Sequence, residues 1–136
     1  MAQGAVARDT GLRILLVEDN RLNQELIGDL LALAGHRVDI VEDGEQLRRR
    51  MANGEDPDVV LLDVLLPGCD GVTLLAELRR MQHMKLKPVL AVTAQALAPD
   101  IERFNRAGFD AIITKPIDTR TFVAEVEKHA CGGTKH

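Results

Sequence analysis

The sequence predicts a doubly wound α/β domain: one parallel sheet of five strands with helices on both faces. Three observations carry that prediction. Five short apolar runs, at residues 14–17, 38–41, 59–62, 89–92 and 111–113, recur along the chain. Most are continuously apolar rather than alternating, as in parallel strands covered on both faces. Between them lie longer stretches of helical period, joined by short connections. A length of 136 residues suits one domain, and a chain of this size hides roughly 68–70% of its unfolded surface without staples.

The elements follow in order. Residues 1–11 lack periodicity and are expected to be a flexible lead-in to a domain spanning residues 12–130. After Ile14-Leu15-Leu16-Val17, the residues Leu22, Leu26, Leu30 and Leu33 recur at helical steps and so share one face. Asn20 stands where an N-cap belongs, and Gly35 where a helix stops. Asp39 interrupts the second run, which fits a strand nearer an edge. The following helix, residues 45–53, has only Leu47 and Met51 to bury. Beyond the third run, Leu74, Leu75, Leu78 and Met81 line a helix behind a cap at Asp70. Ile101, Phe104 and Ala107 do the same ahead of Gly108, and Phe122, Val123 and Val126 follow a cap at Asp118. Pro67 and Pro99 read as turn or first-turn residues. Residues 131–136 are expected to be a flexible tail.

Composition narrows the function classes. With three Phe, no Tyr and no Trp, an aromatic platform for stacking bases is hard to build. A net charge of −4 argues against nucleic acid as a partner. Arg48-Arg49-Arg50 and Arg79-Arg80 fall toward helix C-termini, where cations offset the helix dipole. Cys69 and Cys131 are too few for a zinc cage or a disulfide framework and read as reduced thiols. The four His are scattered without ligand spacing. No apolar run reaches the roughly 18 residues of a membrane span, and residues 1–8 have no secretion-signal pattern. A cytoplasmic place is expected, with no membrane partner.

In such a sheet, ligands bind beyond the carboxyl ends of the strands, near the switch in strand order. Glu18 and Asp19 follow the first run, Asp63 ends the third, Thr93 the fourth, and Thr114 and Lys115 the fifth. Taken singly, strand-end acids are usually helix caps and a loop Lys is usually solvated. Together they bring three carboxylates, a hydroxyl and an ammonium to one rim. Crowded carboxylates repel and take up protons unless a cation shares the site. An all-oxygen donor set without thiol or imidazole suits Mg²⁺. A metal, an ammonium and a hydroxyl can neutralise the oxygens of a phosphoryl group. A carboxylate beside them can itself be the nucleophile and become an acyl phosphate.

These residues resemble the receiver domain of bacterial two-component response regulators. The matching motifs are Leu15-Leu16-Val17-Glu18-Asp19-Asn20, Leu61-Leu62-Asp63 continuing to Pro67-Gly68-Cys69-Asp70-Gly71, Ala91-Val92-Thr93-Ala94, and Thr114-Lys115-Pro116. Their order and spacing extend the likeness over residues 12–130. The resemblance implies the flavodoxin-like strand order 2-1-3-4-5. It implies that Asp63 accepts a phosphoryl group from the phosphohistidine of a histidine kinase or histidine phosphotransfer protein. It makes Asp19, Asp63 and the backbone carbonyl of Leu65 ligands of Mg²⁺, with Glu18 holding the metal through water. Thr93 and Lys115 would each contact a phosphoryl oxygen, and the Lys115-Pro116 bond would be cis. Gly71 would permit a tight loop after Asp63.

The family's usual switch pairs Thr93 with an aromatic ring three residues before the lysine; here that position is Ile112. Isoleucine has no ring to swing and few rotamers. The phosphate chemistry is therefore expected without the usual relay, and signalling would reach a downstream protein effector. The expected oligomeric state is a monomer or weak homodimer, either a free-standing regulator or a receiver of a hybrid histidine kinase. An exposed apolar strip is expected along the fourth helix, fifth strand and fifth helix. The chain would catalyse only its own phosphorylation and dephosphorylation. Among the alternatives, Ile112 favours a phosphorylation-independent docking module. A metal-dependent aspartyl phosphatase would need an acid where Leu65 stands. A flavin carrier would need a glycine- and hydroxyl-rich loop after the first strand.

Overall fold

In the computed structural model, which describes residues 11–66, 68–95 and 97–132, all five apolar runs form strands. These are β1 (Arg13–Val17), β2 (Arg37–Val41), β3 (Val59–Asp63), β4 (Val89–Thr93) and β5 (Ala111–Thr114). They pair in parallel, as the continuous apolar runs predict, in the order β2-β1-β3-β4-β5 that the resemblance implies. The helices are α1 (Arg21–Leu33), α2 (Gly44–Ala52), α3 (Gly71–Arg79), α4 (Ala98–Ala107) and α5 (Phe122–Gly132). A two-residue antiparallel ribbon joins Leu65–Leu66 to Cys69–Asp70 between β3 and α3.

The continuous apolar runs are explained by two cores, one on each face of the sheet. Leu15, Val17, Val60, Leu62, Val89 and Ala91 point to α2, α3 and α4, where Leu47, Leu74, Leu75, Leu78 and Phe104 meet them. Their neighbours Ile14, Leu16, Val59, Leu61, Leu90 and Val92 point to α1 and α5, against Ile27, Leu31, Phe122 and Val126. Each Val, Leu, Ile or Phe among them taken fully out of water contributes about 1.5–3 kcal/mol. β2 lies at the edge, and the Asp39 that breaks its run is exposed.

Local signals place the helix ends. Asn20 caps α1 by accepting from Asn23 N, and Asp70 caps α3 by accepting from Val72 N. Gly35 and Gly108 take positive φ just beyond α1 and α4, the conformation that ends helices without a Cβ penalty. Asp118 does not cap α5 directly. Its side chain accepts from Arg120 N (3.0 Å), and its carbonyl accepts the amides of Thr121 and Phe122. The α5 helix runs to Gly132, two residues past the expected boundary. The expected flexible ends at residues 1–10 and 133–136, and the turn at Pro67, lie outside the described residues.

Two expectations about surfaces are corrected. The buried stripe of α1 is Ile27 and Leu31, whereas Leu22 and Leu33 are 75% and 86% exposed and Leu26 is also exposed. Exposed large apolar side chains gather on α1 and at Ile40 of β2; among the described residues of the expected α4–β5–α5 strip, only Leu97, just before α4, is one of them. Four of the five clustered arginines, Arg48, Arg49, Arg50 and Arg79, pair with acids of this chain. Arg48 meets Glu77 with two nitrogens (2.7 and 3.1 Å), and Arg79 donates to the carbonyls of Met84 and Lys87 and to Asp110. His36 is buried, accepting from Leu12 N at Nδ1 (3.0 Å) and donating from Nε2 to Glu127 (2.8 Å). It ties the start of the sheet to α5, far along the strands from the acidic rim. Among the described residues, no helix is long and apolar enough to cross a membrane.

Candidate functional site

The strand order reverses between β1 and β3, and the acids stand at the carboxyl ends of those two strands. Glu18 continues the ladder for one residue, its amide donating to Val41 O (3.0 Å). It is wholly buried. Oε1 accepts from Lys115 Nζ (3.0 Å), Oε2 accepts from the amide of Asn20 (3.0 Å), and the carbonyl accepts from Gln24 Nε2 (2.7 Å). Asp19 is exposed beside it. Asp63, the buried last residue of β3, accepts from Leu65 N at Oδ1 (2.9 Å) and from Lys115 Nζ at Oδ2 (3.1 Å). Glu18, Asp19 and Asp63 bring carboxylate oxygens within 4.8 Å of one another.

The hydroxyl and the ammonium arrive from the neighbouring strands. Thr93 ends β4, is wholly buried and pairs with Thr114 in register. Its Oγ1 accepts from Gln95 N (2.9 Å), which leaves the hydroxyl proton free to donate. The chain after β5 is tied back to it by Lys115 N donating to Thr93 O (2.8 Å), and the Lys115-Pro116 peptide is cis. Leu65 sits in the short ribbon with its side chain half exposed. Ile112 stands apart from this cluster. It pairs with Ala91, two positions before Thr114, and packs on the core that holds Phe104 and Phe109. Those two rings meet edge-to-face at 6.1 Å, so Phe109 belongs to the core and not to the rim.

One ammonium serves two buried carboxylates, and the electrostatics reflect that. Burial pushes Glu18 above the usual carboxylate range, and the charge of Asp63 adds to it; the Asn20 amide and Lys115 offset only part. Burial alone would lower Lys115, but its hydrogen bond to Glu18 and the charges of Asp63 and Glu18 outweigh it and raise its pKa. Lys115 therefore remains an ammonium at neutral pH. The three carboxylates offer only oxygen donors, with one acid exposed at the mouth for access. That is the chemistry of a hard divalent cation that keeps some of its waters, and the residues fit Mg²⁺. The rim residues Glu18, Asp19, Asp63, Thr93 and Lys115 sit at this edge, whereas Ile112, expected as the switch position, does not. Gln24 was not read as a site residue; its only sequence signal is its place one turn after the Asn20 cap.

Comparison with known proteins agrees with this geometry. The family described as response regulator receiver domain matches residues 14–127. The polar-differentiation response regulator DivK of Brucella ovis is 32% identical over 116 residues, 85% of this chain and 94% of its own. The receiver domain of the sensor histidine kinase PA1611 of Pseudomonas aeruginosa, solved with a magnesium ion coordinated in the active site cleft, superposes with a TM-score of 0.79. It is 35% identical, over 90% of this chain and 98% of that one. A response regulator structure from Chloroflexus aurantiacus gives a TM-score of 0.81 at 30% identity, over 87% of this chain and 96% of that one. With five parallel strands in the expected order and four motifs meeting at one acidic rim, the chain belongs to the response regulator receiver domain family.

Proposed function

We propose that this chain, over residues 12–130, is a phosphorelay receiver. Asp63 takes a phosphoryl group from a phosphohistidine on a histidine kinase or histidine phosphotransfer protein, and the modified chain changes its affinity for a protein effector. The observation that carries this reading is Lys115 Nζ shared between Glu18 and Asp63 at 3.0 and 3.1 Å, beside three mutually close carboxylates. In the transfer, an Asp63 carboxylate oxygen forms the O–P bond as the N–P bond breaks, and the departing imidazole takes a proton. Hydrolysis then returns the carboxylate and inorganic phosphate. The domain is a signalling element and turns over no external substrate.

The roles are those the family resemblance implies, and the positions of the residues support them. Asp19, Asp63 and the Leu65 carbonyl would hold Mg²⁺, with Glu18 acting through water; when bound, the ion neutralises charge on the phosphoryl oxygens. Lys115 stands ready to leave its Asp63 oxygen for a phosphoryl oxygen while keeping Glu18. Thr93 donates its free hydroxyl proton to another. The switch acts through Thr93 and the loop leading to α4, because Ile112 is β-branched, packed on the core and has no ring to turn.

The test is incubation with a small phosphodonor and Mg²⁺, followed by intact-mass measurement. The parent should gain one phosphoryl group, chelation of the metal should abolish the gain, and Asp63→Asn should show none. A gain that persists in Asp63→Asn would overturn the reading.

A further inference from the structure

Gln24 has no role in the reading above, yet it makes one of the shortest polar contacts at the rim. Its Nε2 lies 2.7 Å from the carbonyl oxygen of Glu18. The reason is visible in the ladder. Glu18 donates its own amide to Val41 O, but the edge strand offers its carbonyl no partner in return. The parallel register would bring the amide of Asp43 to it, but β2 ends at Val41 and, among the described residues, Asp43 N makes no bond to Glu18 O. A carbonyl on a wholly buried residue would therefore be left unpaired without Gln24.

With Gln24 in place, every polar group of Glu18 is held: amide by Val41, carbonyl by Gln24, Oε1 by Lys115 and Oε2 by Asn20. The peptide fixed by Gln24 is the one linking Glu18 to Asp19. Its orientation decides where the Asp19 carboxylate stands relative to Asp63. We infer that Gln24 is a positioning residue for cation binding: by gripping the Glu18 carbonyl it holds the Glu18 and Asp19 carboxylates at binding distance from Asp63. This rests on the Mg²⁺ reading of the site and adds a residue to it. Partners that orient metal ligands typically change affinity by roughly 10–100-fold when removed. Gln24 acts on the backbone beside the ligands, which places its effect at the lower end.

The test is calorimetric titration of the unphosphorylated full chain with MgCl₂, comparing the parent with Gln24→Met, which keeps length and helix propensity but cannot donate. Gln24→Met should bind Mg²⁺ about tenfold more weakly. Its phosphorylation should need correspondingly more Mg²⁺ but reach the parent's maximal rate. Ile27→Val, in the buried stripe of α1 and away from the loop, serves as the control for helix stability and should keep the parent's affinity. Equal affinity in Gln24→Met and parent overturns the inference while leaving the metal site intact, and so does an equal loss in Ile27→Val. A parent that binds no Mg²⁺ overturns the metal reading and this inference with it.

Discussion

At Gly71 the first residue of α3 passes so close to the loop after Asp63 that a Cβ there would lie 2.6 Å from Val64 Cα and 3.0 Å from Val64 Cβ. Its amide also donates to the Val64 carbonyl (3.3 Å). The glycine is required by this backbone approach; it is not among the residues with positive φ. Gly71→Ala should push Val64 away and destabilise the fold by about 1–3 kcal/mol, the usual cost of overpacking, read as a lower urea midpoint. Because Val64 follows Asp63 directly, phosphoryl uptake should slow as well. An alanine variant with the parent's midpoint and rate would show that the loop yields freely. Sequence could point to this glycine but not to its reason, since close approach and left-handed backbone use the same letter. The carboxylates and Lys115 were more legible, because few structural roles need those groups at successive strand ends. Gln24 was not legible: a glutamine in a first helical turn is ordinary, and only the geometry shows its amide facing an orphan carbonyl.

Among the elements, α1 shows where periodicity stops deciding. Apolar residues at 22, 26, 30 and 33 make one stripe and those at 27 and 31 another, overlapping around Leu30. Spacing cannot rank two such stripes; contact with the sheet chooses Ile27 and Leu31. The neighbouring helices α2 and α3 are joined across their outer surfaces by Arg48 and Glu77. The Arg48 hydrogen bond holds the Glu77 carboxyl below its ordinary range, against a smaller opposing effect of burial. A depressed carboxylate contributes stability above its unfolded pKa, and that contribution is lost as pH falls through the folded value. Glu77→Gln should therefore melt below the parent at neutral pH, with the gap closing as the solution is acidified past the ordinary glutamate range. High salt should narrow the neutral-pH gap as well. Thermal melts of both proteins across that window check it; a gap independent of pH would mean that packing, not charge, joins the two helices.

For the whole molecule, the charge gathered at the rim proposed to take up a phosphoryl group opposes folding. Three carboxylates meet one ammonium within a few ångströms, and unfolding lets the acids separate into water. The raised pKa of Glu18 states this as linkage. Between its ordinary value and its raised folded value, the folded chain binds more protons than the unfolded one. Stability from this residue therefore falls as pH rises through that window. Lys115 works the other way: its raised pKa contributes stability that is present at neutral pH and lost only as alkali removes its proton. Asp63→Asn removes one charge, leaves an amide oxygen to accept from Leu65 N, and lets Lys115 serve Glu18 alone. In metal-free buffer near neutral pH it should unfold at higher urea, by about 0.5–2 kcal/mol, the range for relieving a functional site's strain. Mg²⁺ should stabilise the parent in proportion to the logarithm of its concentration above Kd and affect Asp63→Asn less, so the two curves converge. Should Asp63→Asn be no more stable without metal, or respond to Mg²⁺ as fully as the parent, the rim would not carry the uncompensated charge that its geometry implies. The repulsion is also what gives the site its use, because a cluster at ease without a cation would have little reason to bind one.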